Sequence, residues 1–143
     1  MLLGLLSLVV AALFSGAAIY INFAEQPARL KLDDHSLLAQ WKPAYKRGFM
    51  MQAPLAAAGC LLGFAAWWTT GRLAFALGGL LMIANLPWTV FGVMPTNKIL
   101  MQMELAAAGP QSRALIIKWN ALHAVRSGLG MLATLAFLIA LLN

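Results

Sequence analysis

Four apolar stretches of this chain are each long enough, at about 20 residues, to cross the hydrocarbon of a bilayer. They cover residues 2–23, 48–70, 73–94 and about 119–142, the last holding His123 and Arg126. Only 10% of the residues are charged against about a quarter in soluble domains, so the chain is not made for water alone. A cleaved leader would need a basic start and a shorter apolar run than the first stretch has, so that stretch is expected to be a retained helix. The single cysteine, Cys60, lies in an apolar run and leaves no intrachain disulfide or cysteine-based metal cage.

Lysine and arginine set the expected orientation. The first loop carries Arg29, Lys31, Lys42, Lys46 and Arg47, and the third carries Lys98, Arg113 and Lys118, whereas the second has Arg72 alone. Basic loops stay in the cytoplasm. The expected fold is therefore all-α: one domain over residues 1–143, an integral membrane four-helix bundle with both termini outside and the first and third loops cytoplasmic. The expected location is a bacterial inner (plasma) membrane. The basic residues read as topology signals rather than as a nucleic-acid footprint, so membrane lipids are expected partners and nucleic acid is not.

Local signals refine this outline. Ala56, Gly59, Gly63 and Ala66 form a stripe of small residues that lets helices approach closely in lipid, facing a neighbour in the chain or a second protomer. A homo-oligomer through Gly59 and Gly63 is one expectation from it. Thr69-Thr70-Gly71 predicts a tight turn, Gly109-Pro110 opens the last helix, and Asp33-Asp34-His35 predicts a solvated turn.

The polar residues are the informative exceptions. Counting about 1.5 Å per residue along each span brings Asn22, Gln52, Pro95 to Asn97, and Leu122 to His123 to one depth, the cytoplasmic edge. Helical spacing aligns Ser15, Ala18, Asn22 and Glu25 on one face of the first span, and Trp119, His123 and Arg126 on one face of the fourth. An arginine roughly one turn inside the boundary is costly against lipid, so Arg126 should face the bundle, and Glu25 is its expected ion-pair partner. Asn85, near mid-span and next to Pro87, either floors a polar cavity or bonds to a packing neighbour. Anchoring of helix ends explains any one of these residues; inward stripes on several helices point instead to a site.

His123 can take and release a proton near neutral pH. Asn22, Asn97 and Asn120 could donate to a carbonyl or enolate oxygen, and Arg126 could meet developing negative charge. Trp41, Trp88 and Trp119 could wall a flat aromatic ligand or serve as interfacial anchors. The candidate catalytic set is His123, Arg126, Asn97 and Asn120; Asn22, Glu25, Trp41, Gln52, Asn85, Trp88 and Trp119 form the candidate substrate-binding set. There is no metal-ligand spacing, phosphate loop, nucleotide fingerprint or nucleophile elbow, so no metal and no cofactor are expected. Beside an enzyme acting on a lipophilic small molecule stand two other readings: a non-catalytic lipophile binder or small carrier with the same cavity, and a structural partner packing through the glycine stripe.

The runs Gly16 to Asn22, Glu25 to Arg29 and Trp41 to Arg47, then Pro87-Trp88-Thr89, Pro95-Thr96-Asn97 and Trp119-Asn120-x-x-His123-x-x-Arg126, resemble the anthrone oxygenase-like membrane family in the right order over nearly the whole chain. The resemblance implies a four-helix membrane bundle. It further implies an oxidation of anthrones to anthraquinones by molecular oxygen without an evident cofactor, as associated with fungal relatives in polyketide pathways. In that setting His123 would be the base, and Asn97, Asn120 and Arg126 would stabilise the oxyanion.

Overall fold

A computed structural model describes all of residues 1–143. It holds four long helices, α1 (Leu2–Arg29), α2 (Asp34–Thr70), α3 (Leu73–Gln102) and α4 (Pro110–Leu142), each apolar and long enough to cross a membrane. They run up and down in a square: α1 packs beside α2 and α4, α3 packs beside the same two, and α2 and α4 touch across the diagonal. Short connections force this antiparallel order.

The helices run well past the apolar spans, because a polar continuation needs only helix-compatible residues and not lipid. The residues 34–47 and 110–118 are helical extensions beyond the apolar runs. Asp33 does not sit in a free turn. It caps α2, its carboxylate accepting the Ser36 N–H at 3.0 Å, and that bond holds its pKa below the usual aspartate value. Gly71 ends α2 with φ +72°, a conformation that favours glycine, its N–H returning to the Trp67 carbonyl at 2.7 Å. Pro110 takes the first position of α4, and the Gly109 N–H donates to the Ser112 hydroxyl at 3.0 Å. Two further ties hold the loop end: Lys42 donates to the Met101 and Met103 carbonyls, and Arg113 grips Asp34 together with the Leu30 and Leu32 carbonyls.

Both α1 and α3 contain one π turn, at Ile21–Glu25 and Thr89–Val93. Each is followed two residues later by a proline, Pro27 or Pro95. A proline removes one N–H and its ring pushes against the carbonyl four residues back, here Phe23 or Phe91; a wider turn relieves that contact. The first of these turns carries Asn22 and Glu25.

The small-residue stripe of α2 is used inside the chain. A Cβ on Gly59 would lie 2.7 Å from Met82 Cε, and one on Gly63 would lie 2.8 Å from Phe137 Cε1. Gly59 and Gly63 are both buried against side chains of their own chain. Around this stripe Ala11, Phe14, Phe75, Met82, Ala133 and Phe137 form one core at the end of the bundle that carries the termini. A second core, with Leu37, Leu38, Trp41, Val93, Leu100, Ile116 and Trp119, fills the opposite end.

Candidate functional site

The second core borders a set of buried polar side chains centred on His123, itself 1% exposed. Asn22, on the π turn of α1, spends its amide nitrogen on Asn120, donating to the backbone carbonyl at 3.0 Å and to Oδ1 at 2.7 Å. Its own Oδ1 must then be an acceptor. It receives the Ser127 hydroxyl at 2.6 Å and lies 3.0 Å from His123 Nδ1. The network therefore puts the His123 proton on Nδ1, donated to Asn22, and leaves the lone pair on Nε2. Nε2 is buried and has no hydrogen-bond partner. The imidazole stacks on Trp119 at 4.9 Å between centroids; Trp119 meets Trp41 edge-on, and Trp41 lies flat on Tyr45. This aromatic column fixes the ring plane while Asn22 fixes its rotation.

His123 faces a chamber of about 20 Å³ whose wall includes Glu25 and Arg29 from α1, Tyr45, Gly48 and Gln52 from α2, and Trp119 and Arg126 from α4. That volume admits about one water-sized group. Within the wall, Arg29 Nε and Nη1, Gln52 Nε2, Trp119 Nε1 and Arg126 Nε are buried without partners. All five are donors, and His123 Nε2 is the one unpartnered acceptor among them. Buried polar groups in native proteins are nearly always satisfied, and this cluster of unpartnered donors could receive an oxygen-rich, electron-rich group.

Arg126 is 6% exposed and has no carboxylate partner. The expected Glu25–Arg126 ion pair is not formed. Glu25 pairs with Arg29, four residues along the same helix, and also accepts the Gln40 amide at 3.1 Å. A partner one turn away on the same helix is reached without bridging the bundle, which decides the competition. Arg126 instead lies over the Phe14 ring, 5.7 Å from its centroid, and Arg29 lies 5.9 Å from that of Trp119.

The structure thus brings together His123, Arg126, Glu25, Gln52 and Trp119 at the chamber wall, and sets Asn22 and Asn120 behind His123, where their amides are engaged with each other. Trp41 stands one ring back. Asn97 is buried with both amide atoms unpartnered, beside the Tyr45 phenol and outside the chamber wall. Asn85 does not join the site: its amide nitrogen donates to the Leu81 and Met82 carbonyls of its own helix, its backbone carbonyl accepts the Thr89 hydroxyl, and its Oδ1 has no partner. Trp88 donates to the Leu122 carbonyl at 2.9 Å and lines a separate groove with Phe91 and Val125. Three helices build the wall, not four. Sequence reasoning did not single out Arg29, Tyr45, Gly48 and Ser127. Two of them carry a spacing signal, since Arg29 follows Glu25 by four residues and Ser127 follows His123 by four.

Comparison with known proteins bears on the chemistry. The family model described as anthrone oxygenase matches residues 41–136, about two thirds of the chain, taking in Gln52, Trp119, His123 and Arg126. Anthrone oxygenase AgnL2 of Paecilomyces divaricatus is 29% identical over 138 residues, covering 85% of this chain and 84% of its own. Anthrone oxygenase dmxR16 of Cryptosporiopsis sp. (strain 8999) is 29% identical over 126 residues, covering 82% and 72%. Both relatives are fungal and lend nothing to a bacterial inner membrane. No solved structure matches the chain. By its match over most of its length, and with a four-helix bundle as its fold, the chain belongs to the anthrone oxygenase family.

Proposed function

We propose that this protein is a membrane-embedded oxygenase of a lipophilic, anthrone- or quinone-like aromatic, working by proton abstraction and direct reaction of the resulting carbanion with O2, without a cofactor. The observation that carries the reading is His123: its Nδ1 proton is committed to Asn22, and its free Nε2 faces a donor-rich chamber beside an arginine with no counter-ion. A base needs that lone pair, and a developing oxyanion needs those donors.

In this reading Nε2 takes a proton from the methylene carbon between two aromatic rings. The electron pair left behind delocalises onto the ring carbonyl across the central ring, and Arg126 and the Gln52 amide face the oxygen that bonds to the carbon. The carbon then bonds to O2, and the peroxide anion takes the proton back from Nε2. Removal of the second C–H proton breaks the O–O bond, forms the ketone and releases hydroxide, which leaves as water. The balance is CH2 plus O2 to C=O plus H2O, so the substrate itself supplies every electron. Asn22 acts through His123 and is a positioning residue. Eight basic residues on the first and third loops, against Arg72 on the second, support placing this end of the bundle at the cytoplasmic face.

The test is oxygen uptake by the detergent-purified protein given a hydroxyanthrone, beside a His123→Ala variant and protein-free micelles. Loss of a general base lowers the rate by about 10²–10⁴-fold. Uptake above both controls is the expected result. Uptake equal to the micelle control from folded wild-type protein would contradict the oxygenase reading and favour a non-catalytic lipophile binder.

A further inference from the structure

The chamber at His123 has room for an oxygen atom or a diatomic molecule and for nothing as large as a fused ring system. A second cavity adjoins it. Between α1 and α2 lies a groove of about 660 Å³, open along one side, and Ile21, Glu25, Ala44 and Gly48 line both spaces. That volume falls in the range that holds small organic ligands, about 300–1,000 Å³. One end of the groove is apolar, with Ala17, Tyr20 and Met51; the other is polar, with Glu25 and Gln40, and Arg47 lies between them, one turn from Met51. Tyr20 and Met51 are exposed on the outer surface of the bundle.

We infer that this groove seats the ring system of the substrate, a planar lipophilic polycycle that enters sideways from the bilayer and turns its reacting methylene edge to the throat at Ile21 and Gly48, facing the chamber. The inference rests on the proposed aromatic oxidation and adds where the ligand lies and how it arrives. Size separates the two spaces: the rings fit the groove, and only the oxygen added at the methylene carbon fits the chamber. Polarity agrees, since an amphipathic aromatic would lay its bare rings on Ala17, Tyr20 and Met51 and its hydroxyls near Glu25 and Gln40.

Gly48 is the sharpest sign of the passage. It lies mid-helix, where glycine costs stability relative to alanine. No packing requires it: a Cβ there would meet only Ile21 Cδ1, at an ordinary 3.8 Å. The glycines of the other core differ, because a Cβ on Gly59 or Gly63 would collide with Met82 or Phe137. Gly48 preserves open space rather than close contact.

The experiment measures binding of 1,8-dihydroxyanthraquinone, a product-like probe that needs no turnover, by the shift of its visible band in detergent. Gly48→Leu would fill the throat from α2, and Ala17→Leu would fill the groove from α1. Gly16→Leu adds the same bulk to α1 on an exposed face where nothing lies within 4 Å. The expected result is saturable binding by wild type and Gly16→Leu, weakened at least tenfold in whichever of the two blocking variants keeps the wild-type unfolding temperature. Wild-type affinity in both blocking variants would overturn the groove while leaving the aromatic reading standing. No saturable binding by wild type, with co-purified phospholipid that Gly48→Leu releases, would make the groove a lipid site and overturn both.

Discussion

The two ends of the bundle solve opposite problems. At the end with the termini, the helices close on one another through Gly59, Gly63, Gly78 and Gly130 against Met82, Phe137 and Phe14, and the few polar side chains are satisfied locally. Ser7 donates to the Gly4 carbonyl, Ser15 meets Thr134, and Thr69 and Thr70 donate to carbonyls of their own helix. At the loop end, Trp41, Tyr45 and Trp119 pack against one another beside buried polar groups. Every buried side-chain polar atom without a partner lies from mid-bundle to that end, on Gln26, Arg29, Gln40, Trp41, Gln52, Asn85, Asn97, Trp119, His123 and Arg126. One end is optimised for cohesion; the other retains unpaired donors at a cost in stability, which is the usual mark of a site.

That contrast can be broken most forcefully at Arg126. Replacing a buried charge by an apolar chain of similar volume is often neutral or stabilising, whereas loss of a donor to a developing oxyanion costs about 10²–10³-fold in rate. Arg126→Met is therefore expected to lose oxygen uptake by that factor while its unfolding temperature holds or rises. A parallel fall in both would return Arg126 to a structural role. Asn22→Ala comes next: without the Nδ1 acceptor the imidazole is free to rotate and change tautomer, and uptake should fall about tenfold in kcat with little change in KM.

The opposite pattern is expected at Gly63→Ala, whose new Cβ would meet Phe137 and the Phe75 carbonyl at 2.8–3.0 Å. Overpacking there should remove about 1–3 kcal/mol of stability, read by denaturant or thermal unfolding, with activity per folded molecule unchanged. The smallest effect belongs to Asp33. Its native pKa is lowered by the Ser36 N–H, so the cap contributes fully above the ordinary aspartate pKa and is lost as pH falls through the lowered native value. The unfolding temperatures of wild type and Asp33→Ala should thus differ slightly at neutral pH and converge in acid.

How much of this is visible in the sequence depends on the scale of the signal. The spans are legible because lipid demands twenty apolar residues in a row, and the stripe of Trp119, His123 and Arg126 is legible because helical spacing is rigid. The helix extensions are not, since hydropathy reports where lipid ends and not where hydrogen bonding ends. Ion-pair partners are the least legible. Glu25 is the one acidic group at the depth of Arg126, yet Arg29 lies on its own helix four residues on and takes the carboxylate. Asn22 reads as a free amide in the sequence; only the fold shows its nitrogen spent on Asn120 and its oxygen spent on Ser127 and His123. Asn85 and Trp88 share the polar character of the site but lie on α3, which does not reach the chamber.

The central claim is that His123 Nε2 takes a proton from carbon, and it is tested most directly without oxygen. A hydroxyanthrone in anaerobic D2O micelles exchanges its methylene hydrogens at a measurable rate, followed by proton NMR. The wild-type protein is expected to accelerate that exchange well above protein-free micelles, and His123→Ala to return it to the micelle rate. Exchange that is no faster with wild-type protein, or equally fast with His123→Ala, would contradict the account.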